Sequence, residues 1–134
     1  MRFLVVEDDD GLCAAIRDAF RTALPDIEVA SDGGSRDAIR RLANGFHPDV
    51  ALVDLLLPDG SGLEVAAKLR SLGVRRVVGM TRKDAPPVDE ILELFDDFLV
   101  KPFELRALER LFDAPSLCYL SDGCAIDRVS RTAR

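Results

Sequence analysis

Four short apolar runs in this sequence each stop at polar residues whose side chains could do chemistry together. The polar residues are Glu7 with Asp8, Asp54, Thr81 and Lys101. Carboxylate oxygens with water are the ligands that Mg²⁺ prefers, and a lysine supplies positive charge for an anionic group bound beside the ion. Carboxylates can also form aspartyl phosphates, and phosphoryl transfer depends mainly on positioning and charge neutralisation. The set therefore predicts a magnesium-assisted phosphoryl acceptor centred on Asp54, with Thr81 donating a hydrogen bond to a phosphoryl oxygen.

These residues meet only if the apolar runs are strands of one parallel sheet. Runs this short and this rich in valine and leucine are typical of strands buried on both faces. Segments with helical spacing of apolar residues separate them, so the strand–helix unit repeats five times and predicts a parallel sheet covered by helices on both faces. Ligands bind at the carboxyl edge of such a sheet. Three acids crowded at that edge require a cation.

The element bounds follow from the same patterns. Strands are predicted at residues 3–6, 27–30, 48–54, 74–80 and 98–100. Helices are predicted at residues 12–24, 35–44, 63–72, 88–95 and 104–112. Asp9 or Asp10 is expected to cap the first helix and Ser35 the second, and Gly45 suits the left-handed position that follows a helix.

Length and composition narrow the function further. The 134 residues predict one domain, and a net charge of −6 argues against direct nucleic-acid contact by it. No apolar run approaches the roughly 18 residues of a membrane span, and acid follows the N-terminus too early for a signal peptide. A cytoplasmic location without membrane contact is therefore expected. Cys13, Cys118 and Cys124 lack zinc-site spacing and are interpreted as small buried hydrophobic residues.

Four motifs together resemble the response-regulator receiver domain of two-component signalling. They are LVVEDD at residues 4–9, DLLLPDGSG at residues 54–62, Thr81, and DFLVKPF at residues 97–103. The resemblance covers about residues 2–112 and places the receiver in residues 1–114. It implies the flavodoxin-like α/β fold, a doubly wound five-stranded parallel sheet of order 2-1-3-4-5.

The resemblance also implies a role for each residue of the set. Asp54 would take a phosphoryl group from a sensor histidine kinase or a phosphotransfer protein. The Mg²⁺ ligands would be Glu7, Asp8, Asp54 and the backbone carbonyl of Leu56. Lys101 would contact the phosphoryl oxygens, Thr81 would close over them, and Phe98 would occupy the aromatic switch position. The protein would thus be no enzyme toward other substrates, and it would regulate a downstream protein target, with homodimer formation left open.

Three features depart from the common pattern. Arg82 stands where a small residue is more usual, and it is either a gate to the phosphoryl group or a solvated arginine. Leu94 and Phe95 replace the usual Gly-Ala pair, which together with two prolines at positions 86 and 87 predicts a short or displaced fourth helix. Phe98 has no hydroxyl, so any switching would depend on packing. The resemblance further implies a cis peptide bond between Lys101 and Pro102.

Residues 115–134 form a tail that predicts a β-hairpin and weakly resembles the start of a winged-helix output domain. The receiver part of a winged-helix transcription regulator is therefore one alternative, and a receiver-like interaction module that does not use phosphate is another. A magnesium-dependent phosphatase is disfavoured because such enzymes usually carry a second aspartate where Leu56 stands. No Gly-x-Gly-x-x-Gly follows the first strand, which argues against dinucleotide binding.

Overall fold

A parallel sheet forms the centre of the computed structural model, which describes residues 1–82 and 93–108 together with Leu111. Its strands are β1 (Arg2–Val6), β2 (Glu28–Asp32), β3 (Val50–Asp54), β6 (Arg76–Arg82) and β7 (Asp97–Lys101). They lie in the order β2-β1-β3-β6-β7, and all pairings are parallel. The predicted order 2-1-3-4-5 is therefore confirmed.

Helices cover both faces of the sheet. They are α1 (Asp10–Ala23), α2 (Ser35–Ala43), α3 (Gly62–Ser71) and a short 3-10 helix (Leu105–Leu108). The buried residues of α1 and the 3-10 helix join the core on one face, and those of α2 and α3 join the core on the other. The doubly wound arrangement is thus present in the described part of the chain.

Residues 3–6 of strand β1 form a continuous apolar run because both faces of the strand are buried. Phe3 and Val5 pack into the core beneath α1, whereas Leu4 and Val6 pack into the core beneath α2 and α3. All four are fully buried. A strand with core on both sides has no solvent face, so it shows no alternation of polar residues.

Of the two capping predictions, one is confirmed and one is wrong. Asp9 precedes α1 and its side chain accepts a hydrogen bond from the Leu12 amide at 3.0 Å, as predicted. Ser35 was expected to cap α2, but it is the first residue of the helix, and Asp59 from a distant loop accepts the Ser35 amide instead. Gly45 has a φ of +105°, as expected for the position after α2.

One small element was not predicted. Two short strands, β4 (Leu56–Leu57) and β5 (Gly60–Ser61), form an antiparallel hairpin where the sequence indicated only a turn. The hairpin follows Asp54 directly and leads into α3. It therefore belongs to the surroundings of the predicted site.

Several predictions lie wholly or partly outside the described residues. Most of the predicted helix 88–95 is among them, and Glu93 and Leu94 at its end form a turn. Of the predicted helix 104–112, the described residues show the 3-10 helix and helical Leu111. The tail at residues 115–134, Cys118 and Cys124 also lie outside. The Lys101–Pro102 bond is cis, as expected, and the described helices are all too short or too polar to cross a membrane.

Candidate functional site

Three carboxylates meet at the carboxyl ends of β1 and β3. These strands are neighbours, with Val6 opposite Val53, so Glu7 and Asp8 follow one strand next to the Asp54 that ends the other. Carboxylate oxygens from these three acids all lie within 4.8 Å of one another. The structure therefore brings together the acids that the sequence predicted to meet.

Lys101, at the end of the edge strand β7, pairs with two of these acids. Its Nζ lies 2.6 Å from Glu7 Oε1 and 2.7 Å from Asp54 Oδ2. Glu7 is 1% exposed and Asp54 is 7% exposed, so the ammonium group neutralises charge that water cannot reach. Burial disfavours the charged lysine, but its hydrogen bonds to Asp54 and Glu7 outweigh this effect and raise the pKa of Lys101.

Glu7 is the most perturbed acid of the cluster. Burial raises its pKa to about 7, even though the hydrogen bonds from Lys101 and from the Asp9 amide act in the opposite direction. The nearby Asp54 carboxylate raises the pKa further. A second cation at this site would therefore relieve a real electrostatic cost.

The remaining oxygens of the two buried acids accept backbone hydrogen bonds. Glu7 Oε2 accepts from the Asp9 amide at 3.1 Å, and Asp54 Oδ1 accepts from the Leu56 amide at 3.0 Å. Asp8 is exposed beside them. When all three acids are ionised, three carboxylates against one ammonium leave two negative charges, which matches the charge of a divalent ion. The all-oxygen donor set also suits Mg²⁺.

Thr81 and Arg82 lie at the end of β6, the strand between Asp54 and Lys101. Met80 pairs with Asp54, so Thr81 lies one residue beyond the acceptor, where it is 5% exposed. Arg82 is exposed and pairs with Lys101 on β7. Both predicted residues are thus at the site edge, and the structure leaves the two interpretations of Arg82 open.

Phe98 lies on β7, three residues before Lys101. It pairs with Gly79, and its ring lies 5.1 Å from the Phe95 ring, measured between centroids. A Cβ added to Gly79 would approach the Phe98 ring to 2.8 Å. The ring therefore lies on the sheet surface where Gly79 has no side chain, and Phe95 packs beside it.

Three residues of the loop after Asp54 contribute to the site and were not predicted to do so. A Cβ on Gly62 would collide with the backbone oxygen of Asp54, so only glycine allows the chain to return this closely. Ser61 caps α3 by accepting the Leu63 amide at 2.9 Å. A serine before an apolar helical pattern is a recognised sequence signal, whereas the contacts of Gly62 and Asp59 depend on tertiary structure.

Comparisons with known proteins agree with this geometry. The family described as "Response regulator receiver domain" matches residues 3–113. A probable transcriptional regulatory protein TcrX of Mycobacterium tuberculosis is 40% identical over 107 residues, which are 77% of this chain and 44% of that protein. The chain spans about half the length of the curated relatives it matches.

Solved structures show the same fold. A CheY-like response regulator receiver domain from Methylobacillus flagellatus superposes with a TM-score of 0.71 at 26% identity, covering 84% of this chain and 95% of that one. The receiver domain of a sensor histidine kinase from Pseudomonas aeruginosa PAO1, solved with a magnesium ion in its active-site cleft, gives a TM-score of 0.69 at 23% identity. It covers 82% of this chain and 92% of its own. The chain belongs to the response regulator receiver domain family.

Proposed function

We propose that Asp54 accepts a phosphoryl group in a Mg²⁺-dependent reaction and that this modification switches protein–protein interactions. The observation that carries the proposal is the Lys101 ammonium, which bridges Glu7 and Asp54 while Asp8 lies beside them. With all three acids ionised, the cluster has two excess negative charges that a divalent ion can neutralise. The Lys101 ammonium, in contact with the acceptor, can bind phosphoryl oxygens.

The residues divide the reaction among them. Glu7, Asp8, Asp54 and the backbone carbonyl of Leu56 would hold Mg²⁺, which when bound neutralises negative charge on the acceptor and the phosphoryl group. An Asp54 carboxylate oxygen forms the new bond to phosphorus as the bond to the donor's leaving atom breaks, and that atom keeps the electron pair. Lys101 and Thr81 contact the phosphoryl oxygens, the first by charge and the second by a hydrogen bond.

The wider role follows from family membership. The phosphoryl donor would be a sensor histidine kinase or a phosphotransfer protein in the cytoplasm, and the output would be a downstream protein target or a second copy of the chain. The chemistry would be confined to the protein's own aspartate. Because the curated relatives are about twice as long, the receiver part of a longer transcription regulator is the second candidate.

Mass spectrometry after incubation with Mg²⁺ and acetyl phosphate tests the proposal. We expect the mass to increase by one phosphoryl group in the wild type, and no increase for Asp54→Asn or in EDTA. Asp96→Asn is the matched control, because it changes an aspartate directly before β7, away from the site. An unmodified wild type that also gives no NMR shift changes with beryllofluoride would instead support a phosphate-independent interaction module. Turnover of an added phosphomonoester would support the phosphatase alternative.

A further inference from the structure

We propose that Asp59 is a positioning residue for the metal site, because it fixes the hairpin that carries Leu56 against the start of α2. The inference rests on the proposed function, in which the Leu56 carbonyl is a metal ligand. Asp59 is exposed and is not one of the three clustered acids, and its side chain accepts hydrogen bonds from Ser35 and Arg36. Its effect would therefore pass through the backbone of the hairpin.

The contact of Asp59 with α2 uses both carboxylate oxygens. Oδ1 accepts the Ser35 amide at 2.8 Å and Oδ2 accepts the Arg36 amide at 3.0 Å. The first amides of a helix have no acceptor within the helix, and the helix dipole favours a negative charge there. The hydrogen bonds from Arg36 and Ser35 lower the pKa of Asp59. The carboxylate form is thus the one that the contact selects.

The start of α2 is built to receive a side chain from elsewhere. Its N-cap residue is Gly34, which offers no side-chain acceptor, and the cap comes from Asp59, 24 positions after Ser35. A Cβ on Gly34 would approach Asp59 Oδ1 to 2.8 Å, so glycine makes the close approach possible. Buried Ser35 adds a second link to the same region by donating its hydroxyl to Glu64 Oε1 at 3.3 Å.

The hairpin transmits this anchoring to the site. Asp59 lies in the turn between β4 and β5, where Leu56 pairs with Ser61. Leu56 also donates its amide to Asp54 Oδ1 at 3.0 Å, so its backbone lies directly against the acceptor. The other end of the loop is held separately, because Gly62 donates to the Leu55 carbonyl at 3.1 Å. Loss of the Asp59 contact would therefore loosen the turn and Leu56 while α3 stays in place.

Three variants of the full chain test this inference by calorimetric titration with Mg²⁺. Partners that orient a metal ligand typically change affinity by about 10- to 100-fold, and we expect a roughly tenfold weaker Kd for Asp59→Ala. Asp59→Asn retains one oxygen acceptor and should give an intermediate Kd. Gly34→Ala should also weaken binding although it keeps the charge, because the added methyl displaces the Asp59 carboxylate. The φ of Gly34 is −160°, which alanine adopts without strain.

Asp37→Ala is the matched control, since it removes an acid from the first turn of α2 without touching the hairpin. It should leave the Mg²⁺ Kd unchanged. Thermal unfolding in EDTA supplies the second readout. A lower unfolding temperature for Asp59→Ala with an unchanged Kd would show that Asp59 only caps α2 and would overturn the inference. Absence of Mg²⁺ binding by the wild type would instead overturn the proposed function itself.

Discussion

Charged side chains cluster at both ends of the parallel strands, and the two clusters differ in charge balance. At the carboxyl ends of the strands, the acidic cluster consists of Glu7, Asp8, Asp54 and Lys101. At the amino ends of β6 and β7, a second group, which we call the balanced cluster, consists of Arg70, Arg76, Asp96 and Asp97. The first has three acids for one base among the described residues, whereas the second has two of each.

The balanced cluster connects structural elements. Arg70 of α3 lies 3.0 Å from Asp96 Oδ2 and donates from Nε to the Leu94 carbonyl at 3.0 Å. The same Asp96 oxygen accepts the Val77 amide at 2.7 Å. These contacts tie α3 and the segment before β7 to the sheet. Balanced charge and satisfied backbone groups are what a structural role requires.

The comparison teaches that charge imbalance, rather than charge itself, marks the functional edge. A buried group of like charges raises the free energy of the folded protein unless a further ion compensates it. In the acidic cluster Lys101 offsets part of this electrostatic cost, because it neutralises one of the three negative charges. The balanced cluster has no comparable deficit among the described residues.

Removal of Lys101 should give the largest effect. In EDTA at pH 8, Lys101→Met leaves two buried carboxylates without their shared cation, and we expect a loss of about 3 kcal/mol in the free energy of unfolding. Mg²⁺ should restore part of the loss. Urea denaturation with and without Mg²⁺ measures both effects, and Lys68→Met in α3 is the control. Equal stability of Lys101→Met and the wild type would contradict the inference that Lys101 stabilises the fold by neutralising Glu7 and Asp54.

The pH dependence of stability should be an effect of comparable size. Because the pKa of Glu7 is raised in the folded protein, its contribution to stability is complete below about pH 4.5 and is lost as the pH rises through about 7. With about 1.4 kcal/mol per pKa unit and a rise of the Glu7 pKa from 4.5 to about 7, the loss is of order 3 kcal/mol. Denaturation in EDTA between pH 4 and 8 measures it. Glu7→Gln should flatten the curve, and an unchanged slope in that variant would assign the dependence to another group.

A change in the balanced cluster should act on stability alone. Asp96→Asn weakens the ion pair with Arg70 but retains an oxygen acceptor for the Val77 amide, so we expect a loss of about 1 kcal/mol. Calorimetry should give the wild-type Kd for Mg²⁺. A weaker Kd would mean that the two edges of the sheet are coupled, and the contrast drawn above would fail.

The smallest effect on stability is expected at Arg82. Because its side chain is exposed, Arg82→Ala should change the free energy of unfolding by less than about 0.5 kcal/mol. If the side chain gates the site, loss of the phosphoryl group from Asp54 should become faster, since water gains access. A time course by mass spectrometry measures the lifetime. An unchanged lifetime would leave Arg82 as a solvated arginine.

The sequence was sufficient for the sheet and for the acids because both have local signals. A strand buried on two faces appears as an apolar run, and the residue that ends the run is placed at a known edge of the sheet. The position of Asp54 therefore needed no tertiary information. The same holds for Asp9, whose capping role follows from its place directly before an amphipathic pattern.

Other parts of the site could not be predicted because their causes lie far apart in the sequence. Pro-Asp-Gly is a sufficient reason for a turn, so nothing local indicates that Asp59 also caps α2 and makes Ser35 an ordinary first residue of the helix. Lys101 was predicted to lie beside Asp54 and to contact the phosphoryl oxygens, but its ion pair with Glu7 was not predicted. Both results depend on which side chains the fold brings into contact.

The absence of a side chain at Gly79 has a consequence for substitutions in this domain. The Phe98 ring occupies the space that a methyl group at position 79 would need. Alanine at 79 should therefore be less harmful when residue 98 is smaller, although the Phe95 ring, 3.1 Å from the added methyl, would still have to shift slightly. A double-mutant cycle across β6 and β7 would reveal this compensation as a strongly non-additive coupling energy.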